Sequence, residues 1–86
     1  MRKVGMEMCA EYGKLANTIM SARQDGVAMR KLMETIAGDE DAKTTRRMIV
    51  MAYEAPGYST ERHKQREIVD FENTIYAECL RANNLP

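Results

Sequence analysis

No apolar stretch in this sequence approaches the roughly 18 residues that a membrane span needs. The start, Met1-Arg2-Lys3-Val4-Gly5-Met6-Glu7, is basic but lacks the apolar segment of an export leader. The expected compartment is the cytoplasm for the chain as written, and the periplasm if a leader has been removed. Net charge is lacking too: 13 Lys and Arg balance 13 Asp and Glu. Nonspecific nucleic-acid binding wants a basic excess, so neutrality argues against it. Neutrality also weakens the self-repulsion that keeps copies apart. Histidine occurs once, as His63, and no nucleophile is placed to be activated by it. Structural zinc usually takes four ligands, whereas Cys9, Cys79 and His63 are three and widely spaced. Asp39 and Asp41 resemble the start of a calcium loop, but its Gly and closing Glu are missing. There is no Gly-rich phosphate loop. The residues therefore nominate no catalytic group, cofactor or metal, and the chain reads as a non-enzyme.

What is present is an apolar fraction of 44% and a charged fraction of 30%, the balance of a folded soluble chain. Its 86 residues make one small domain, 1–86, with a thin core. Aromatics are few, with four Tyr, one Phe and no Trp, while Met is frequent at eight. Met fills irregular cores and also makes adaptable binding surfaces.

Breakers at Asp25-Gly26, Gly38-Asp39 and Pro56-Gly57 divide the chain into four helical stretches. The first is expected over about 4–24, with Met6, Cys9, Gly13, Ala16 and Met20 on one face and Tyr12 and Ile19 widening it. Gly26 suits the left-handed position after a helix end. The second, about 28–37, carries a stripe of Met29, Leu32, Met33 and Ile36. The third, about 41–55, is expected to take a cap from Asp39 or Asp41. Its run Met48-Ile49-Val50-Met51-Ala52-Tyr53 is apolar nearly all round, which predicts the most buried helix. The fourth, about 60–82, starts at an N-cap Ser59 or Thr60 and lines Ile68, Phe71, Ile75 and Cys79 on one face. Short connections imply antiparallel neighbours. The expected fold is all-α: a small antiparallel four-helix bundle with long first and fourth helices and short second and third ones.

Arg62, His63, Lys64 and Arg66 crowd the start of the fourth helix. Cations there oppose the helix dipole by about 0.3–1 kcal/mol each. They read as a solvated turn, with partner binding as the alternative. Glu72 falls within an apolar stripe, where a lone buried carboxylate is costly, so it is expected either to sit at the stripe's edge or to pair with an Arg or a Tyr hydroxyl. Ala22 and Gly26 have the spacing of a helix-turn-helix, with Arg30 and Lys31 on the following helix. A small DNA-binding regulator using residues 19–36 is therefore the alternative function.

In an antiparallel bundle the start of the first helix meets the end of the fourth, so Cys9 and Cys79 are expected as neighbours. In an oxidising compartment they form a disulfide; in a reducing one they stay two buried thiols. The short helices are expected at the Gly26 and Pro56 end. That leaves the Cys9 and Cys79 end two helices thick, with Met6, Met8, Tyr12, Ile75, Tyr76 and Leu80 as a candidate interface. Its occupant is a protein partner or a second copy, unless the tails Arg2–Gly5 and Asn83–Pro86 fold back over it.

Several segments together carry a resemblance. They are Cys9, then Ala22-Arg23-Gln24-x-Gly26 with Met29, then Ile49-Val50-x2-Tyr53-Glu54-x-Pro56-x-Tyr58-Ser59-Thr60-Glu61, then Ile68-x-Asp70-Phe71 and Cys79. Over about residues 9–80 the chain resembles a diffuse group of small uncharacterised helical proteins encoded by bacteria and their prophages. The resemblance implies no activity and no catalytic residues. It implies a phage or prophage origin, and by analogy a protein that binds and blocks a larger host component.

Overall fold

Gly26 ends the first helix as its position suggests. In this computed structural model, which describes the backbone of residues 2–84 and the side chains of residues 5–84, its φ is +84°. Nothing lies within 4 Å of the place a Cβ would take, so the backbone angle alone requires glycine. The Val27 amide donates to the Ala22 carbonyl and the Gly26 amide to the Arg23 carbonyl, the paired bonds of a Schellman ending. The described residues form four helices: α1 (Arg2–Gln24), α2 (Met29–Ile36), α3 (Lys43–Glu54) and α4 (Glu61–Ala82). The fold is an all-α bundle with two long and two short helices.

The most extensive interface joins α1 and α4. Cys9 meets Cys79, Gly13 lies under Glu72 and Tyr76, and Gln24 reaches Tyr58, so the two helices run antiparallel. α3 packs on α1 and α2, and α2 packs chiefly on α3. The outcome is a flattened body of 41 × 32 × 16 Å, with α2 at one margin.

The core gathers Ala16, Ile19 and Met20 of α1 with Leu32, Met48, Ile49 and Ala52 of the short helices. Ile68, Phe71 and Ile75 of α4 complete it. The expected faces hold in α1 and α4, except that Met6 is exposed. Two expectations fail for α3. It is not the most buried helix: Met48, Ile49 and Ala52 are buried, whereas Val50 and Met51 stand 44% and 38% exposed. One packing partner on each side cannot cover a helix that is apolar all round. Nor does an aspartate cap it. The N-cap is Ala42 and makes no side-chain bond. Instead Arg46 reaches back to the carbonyls of Ala37, Asp39 and Glu40 at 3.1, 2.7 and 3.4 Å, closing the α2–α3 loop with charge-assisted bonds. In α2 only Leu32 is buried, and Met29 and Ile36 remain exposed.

The fourth helix begins as its sequence indicates. Thr60 is the N-cap, and its hydroxyl accepts from the His63 amide. The continuous α1 backbone from Arg2 rules out a fold-back of that tail. Leu85 and Pro86 lie outside the described residues.

Candidate functional site: a groove beside the disulfide

Two regions concentrate side chains that do more than fill the core. The first is the turn end. Arg23 donates through Nε and Nη2 to the Ala55 carbonyl at 3.2 and 2.9 Å. Gln24, 5% exposed, donates to the Pro56 carbonyl at 3.0 Å and accepts from the Tyr58 amide at 2.9 Å. The Tyr53 hydroxyl donates to the Val27 carbonyl, and the Arg23 guanidinium sits 5.3 Å from the Tyr53 ring centre. Burial pushes the Tyr53 phenol up, and the Arg23 charge partly offsets this. The Arg-Gln-x-Gly segment and the Tyr-Glu-x-Pro-x-Tyr segment thus form one polar clamp across the α1–α2 and α3–α4 connections.

The second region is the tail end. Cys9 and Cys79 form a disulfide with Cα atoms 5.5 Å apart. Cys9 is fully buried and Cys79 half-buried. Beside the bond lies a cleft of about 370 Å³ between α3 and the end of α4. Its apolar lining is Met48 and Met51 of α3, Tyr12 of α1, and Ile75 and Cys79 of α4. Thr44, Arg47, Glu78, Ala82 and Asn83 complete it. The contributors from α3 are residues 44, 47, 48 and 51, and those from α4 are 75, 78, 79 and 82. Each set is one helical face at three- and four-residue spacing. The groove is the space between two helix faces that a third helix has not filled.

The interface expected at this end is therefore redistributed. Tyr12 and Ile75 enter the groove, but Ile75 is buried at its base and is not an exposed contact. Met6 and Met8 are exposed, with Met8 in a shallow hollow formed by α1 alone. Tyr76 faces a different hollow, with Gly13, Lys14 and Glu72. Leu80 is half-buried. These six residues do not make one patch. The end is not two helices thick either, because Thr44, Arg47 and Met48 bring α3 alongside Cys79.

The charged start of α4 is exposed at Arg62, His63 and Arg66 and half-buried at Lys64. The His63 Nδ1 lies 2.9 Å from the Thr60 hydroxyl, and its ring is 5.7 Å from that of Tyr58. This is the geometry of a helix cap at the surface. Glu72 is half-buried and accepts from the Asn17 amide at 2.8 Å, so its partner is neither an Arg nor a Tyr. Within residues 19–36, Arg30 is engaged by Glu34 at 3.1 Å. Among the described residues no group of three His, Cys, Asp or Glu is placed to hold a metal ion, and no helix is long and apolar enough to cross a membrane.

Sequence reasoning missed Thr44, Arg47, Met48 and Met51 as site residues. Reading α3 as the most buried helix concealed the Thr44-x2-Arg47-Met48-x2-Met51 face, a half-polar stripe that could have signalled an open side. No family model, curated protein or solved structure matches this chain.

Proposed function

We propose that this chain is a non-enzymatic protein-interaction module whose partner lays a short amphipathic helix into the groove between α3 and α4. The observation that carries the reading is the pair of unfilled helix faces, with Met51 exposed above a base of Met48 and Ile75. The faces run over eight residues each, 44–51 and 75–82, so they accept about two turns of helix, roughly 10 Å. Apolar anchors on an inserted helix bury against such a floor, and Met side chains adapt to their shape. Arg47 on one rim and Glu78, already paired with Arg81 at 3.0 Å, on the other supply opposite charges for polar flanks of the partner. The resemblance to small prophage-encoded proteins adds that the partner is a larger host protein, bound and blocked.

Two neighbouring side chains give a matched test. Met51 lines the groove and Val50 does not, yet both are exposed on α3. Oxidised protein carrying a tag should capture a defined host protein, and Met51→Glu should lose it while Val50→Glu retains it. Both variants should keep their stability within about 0.5 kcal/mol, as exposed substitutions do. Equal capture by both variants contradicts the groove as the site. Sedimentation that shows a concentration-dependent dimer, broken by Met51→Glu, identifies a second copy as the occupant. The exposed Met29 and Ile36 of its α2 would supply the anchors.

A further inference from the structure

The apolar core stops short of the tail end. Among the described residues its first buried member in α1 is Ala16, with Tyr12 packed half-buried against it, and its last in α4 is Ile75. Beyond them both helices continue, α1 toward Arg2 and α4 to Ala82. No residue of α4 after Ile75 is buried. Cys9 is buried, but it lies outside the core cluster, against its disulfide partner. Glu78, Cys79, Ala82 and Asn83 of this overhang form one wall of the groove. Among the described residues Asn83 ties the wall to itself, donating to the Cys79 carbonyl at 2.8 Å and lying 3.7 Å from its sulfur.

We infer that the Cys9–Cys79 bond is a thiol-exchange site that gates the groove: oxidised, it holds the α4 wall in place; reduced, it releases the wall. The proposal rests on the groove reading for its consequence, since opening the wall removes the partner's seat. The co-reactant is a dithiol. Its thiolate attacks the sulfur of Cys79, the half-buried member that faces the groove. The S–S bond breaks and Cys9 leaves as a thiolate that takes up a proton. The second thiol of the dithiol then displaces Cys79 from the mixed disulfide. The protein gains two electrons and two protons, and the dithiol becomes a cyclic disulfide. After reduction, only half-buried side chains, Tyr76 and Leu80 among them, hold the α4 overhang on α1, and segments so thinly packed open first.

The test needs no partner, so its failure is distinguishable from failure of the groove reading. Wild-type protein is incubated with dithiothreitol in native buffer, quenched by alkylation and weighed. Attack in the folded state gives a reduction rate that rises about tenfold for a tenfold increase in dithiol and that Leu32→Val, a destabilising change in the core of α2, leaves unchanged; a rate that rises with that substitution means attack through unfolding and overturns the proposal. A rate independent of dithiol means that the bond is reached only through unfolding, and overturns the proposal. The sequence has no Trp, so Leu80→Trp provides a single fluorescent reporter at a half-buried position of the overhang. Its emission should shift to the red on reduction, and equally in a Cys9→Ser, Cys79→Ser background, while most helical circular dichroism persists. An unchanged spectrum with both thiols free overturns the gate. So does complete loss of helix, which would make the bond a requirement of the whole fold.

Discussion

At the turn end, Arg23 and Gln24 of α1 hold the backbone at Ala55, Pro56 and Tyr58 through several hydrogen bonds, and Tyr53 returns one to Val27. At the tail end, α1 and α4 are joined by one covalent bond beyond the last core residues. Both ends solve the same problem. A thin core cannot reach the extremities of helices more than twenty residues long. The solutions differ in what they leave open. A polar clamp needs close packing of two loops and fills its end. A disulfide needs only two side chains and leaves room beside it for the groove. The comparison teaches that the region freest of buried contacts is also the one that carries the open groove.

Removing the disulfide should have the largest effect. Cys9→Ser with Cys79→Ser, or full reduction, frees a loop closed at a sequence separation of 70. The chain-entropy model puts the loss at about 4 kcal/mol. Fraying of the freed ends lowers the measured value below that. Melting followed by circular dichroism should fall by up to roughly 15–30 °C for a domain of this size. Next comes Gln24→Ala, which leaves the Pro56 carbonyl and Tyr58 amide without their partner. Both lie partly in reach of water, so the expected loss is about 2 kcal/mol by chemical denaturation. A loss near zero would mean that the clamp is decoration.

Tyr53→Phe should cost about 1 kcal/mol at neutral pH, because the Val27 carbonyl loses its donor. Its pH dependence sharpens the point. Burial raises the Tyr53 pKa in the folded state. The folded protein therefore binds more protons than the unfolded one once the unfolded phenol ionises, near pH 10. Stability from the neutral hydroxyl is fully present below that pH and declines as pH rises through the folded pKa. Melts from pH 8 to pH 11 should fall more steeply for the wild type than for Tyr53→Phe. Parallel curves would remove the titration from the account. The smallest effect is expected at the start of α4. Each of Arg62, His63, Lys64 and Arg66 replaced by Ser should change stability by about 0.5 kcal/mol or less. A large drop in melting temperature would make that cluster structural.

The four helices were legible because their punctuation is local. Gly26, Pro56-Gly57 and Thr60 act through φ angles and a cap that depend on few neighbours. The pairing of Cys9 with Cys79 followed from antiparallel connectivity alone. The groove was only faintly legible: the half-polar stripe of Thr44, Arg47, Met48 and Met51 hinted at an open side of α3, but tertiary packing sets what faces it. Val50 and Met51 looked like core because their composition is apolar, and only the flattened packing exposes them. The clamp was half legible. Its two segments stood out as words, but the hydrogen bonds that join them span more than thirty residues of sequence.

One measurement separates the two ends most directly. Residue-resolved amide hydrogen exchange is recorded below the melting range on reduced wild type and on oxidised Gln24→Ala, each against oxidised wild type. A crossed pattern is predicted. Reduction should accelerate exchange at about residues 7–13 and 78–83 and spare those around Gln24 and Tyr58. Gln24→Ala should accelerate exchange around Gln24, Val27 and Tyr58 and spare the tail end. If both changes accelerate the same amides, the two ends are not independently held, and the account of a clamped end and a gated end is contradicted.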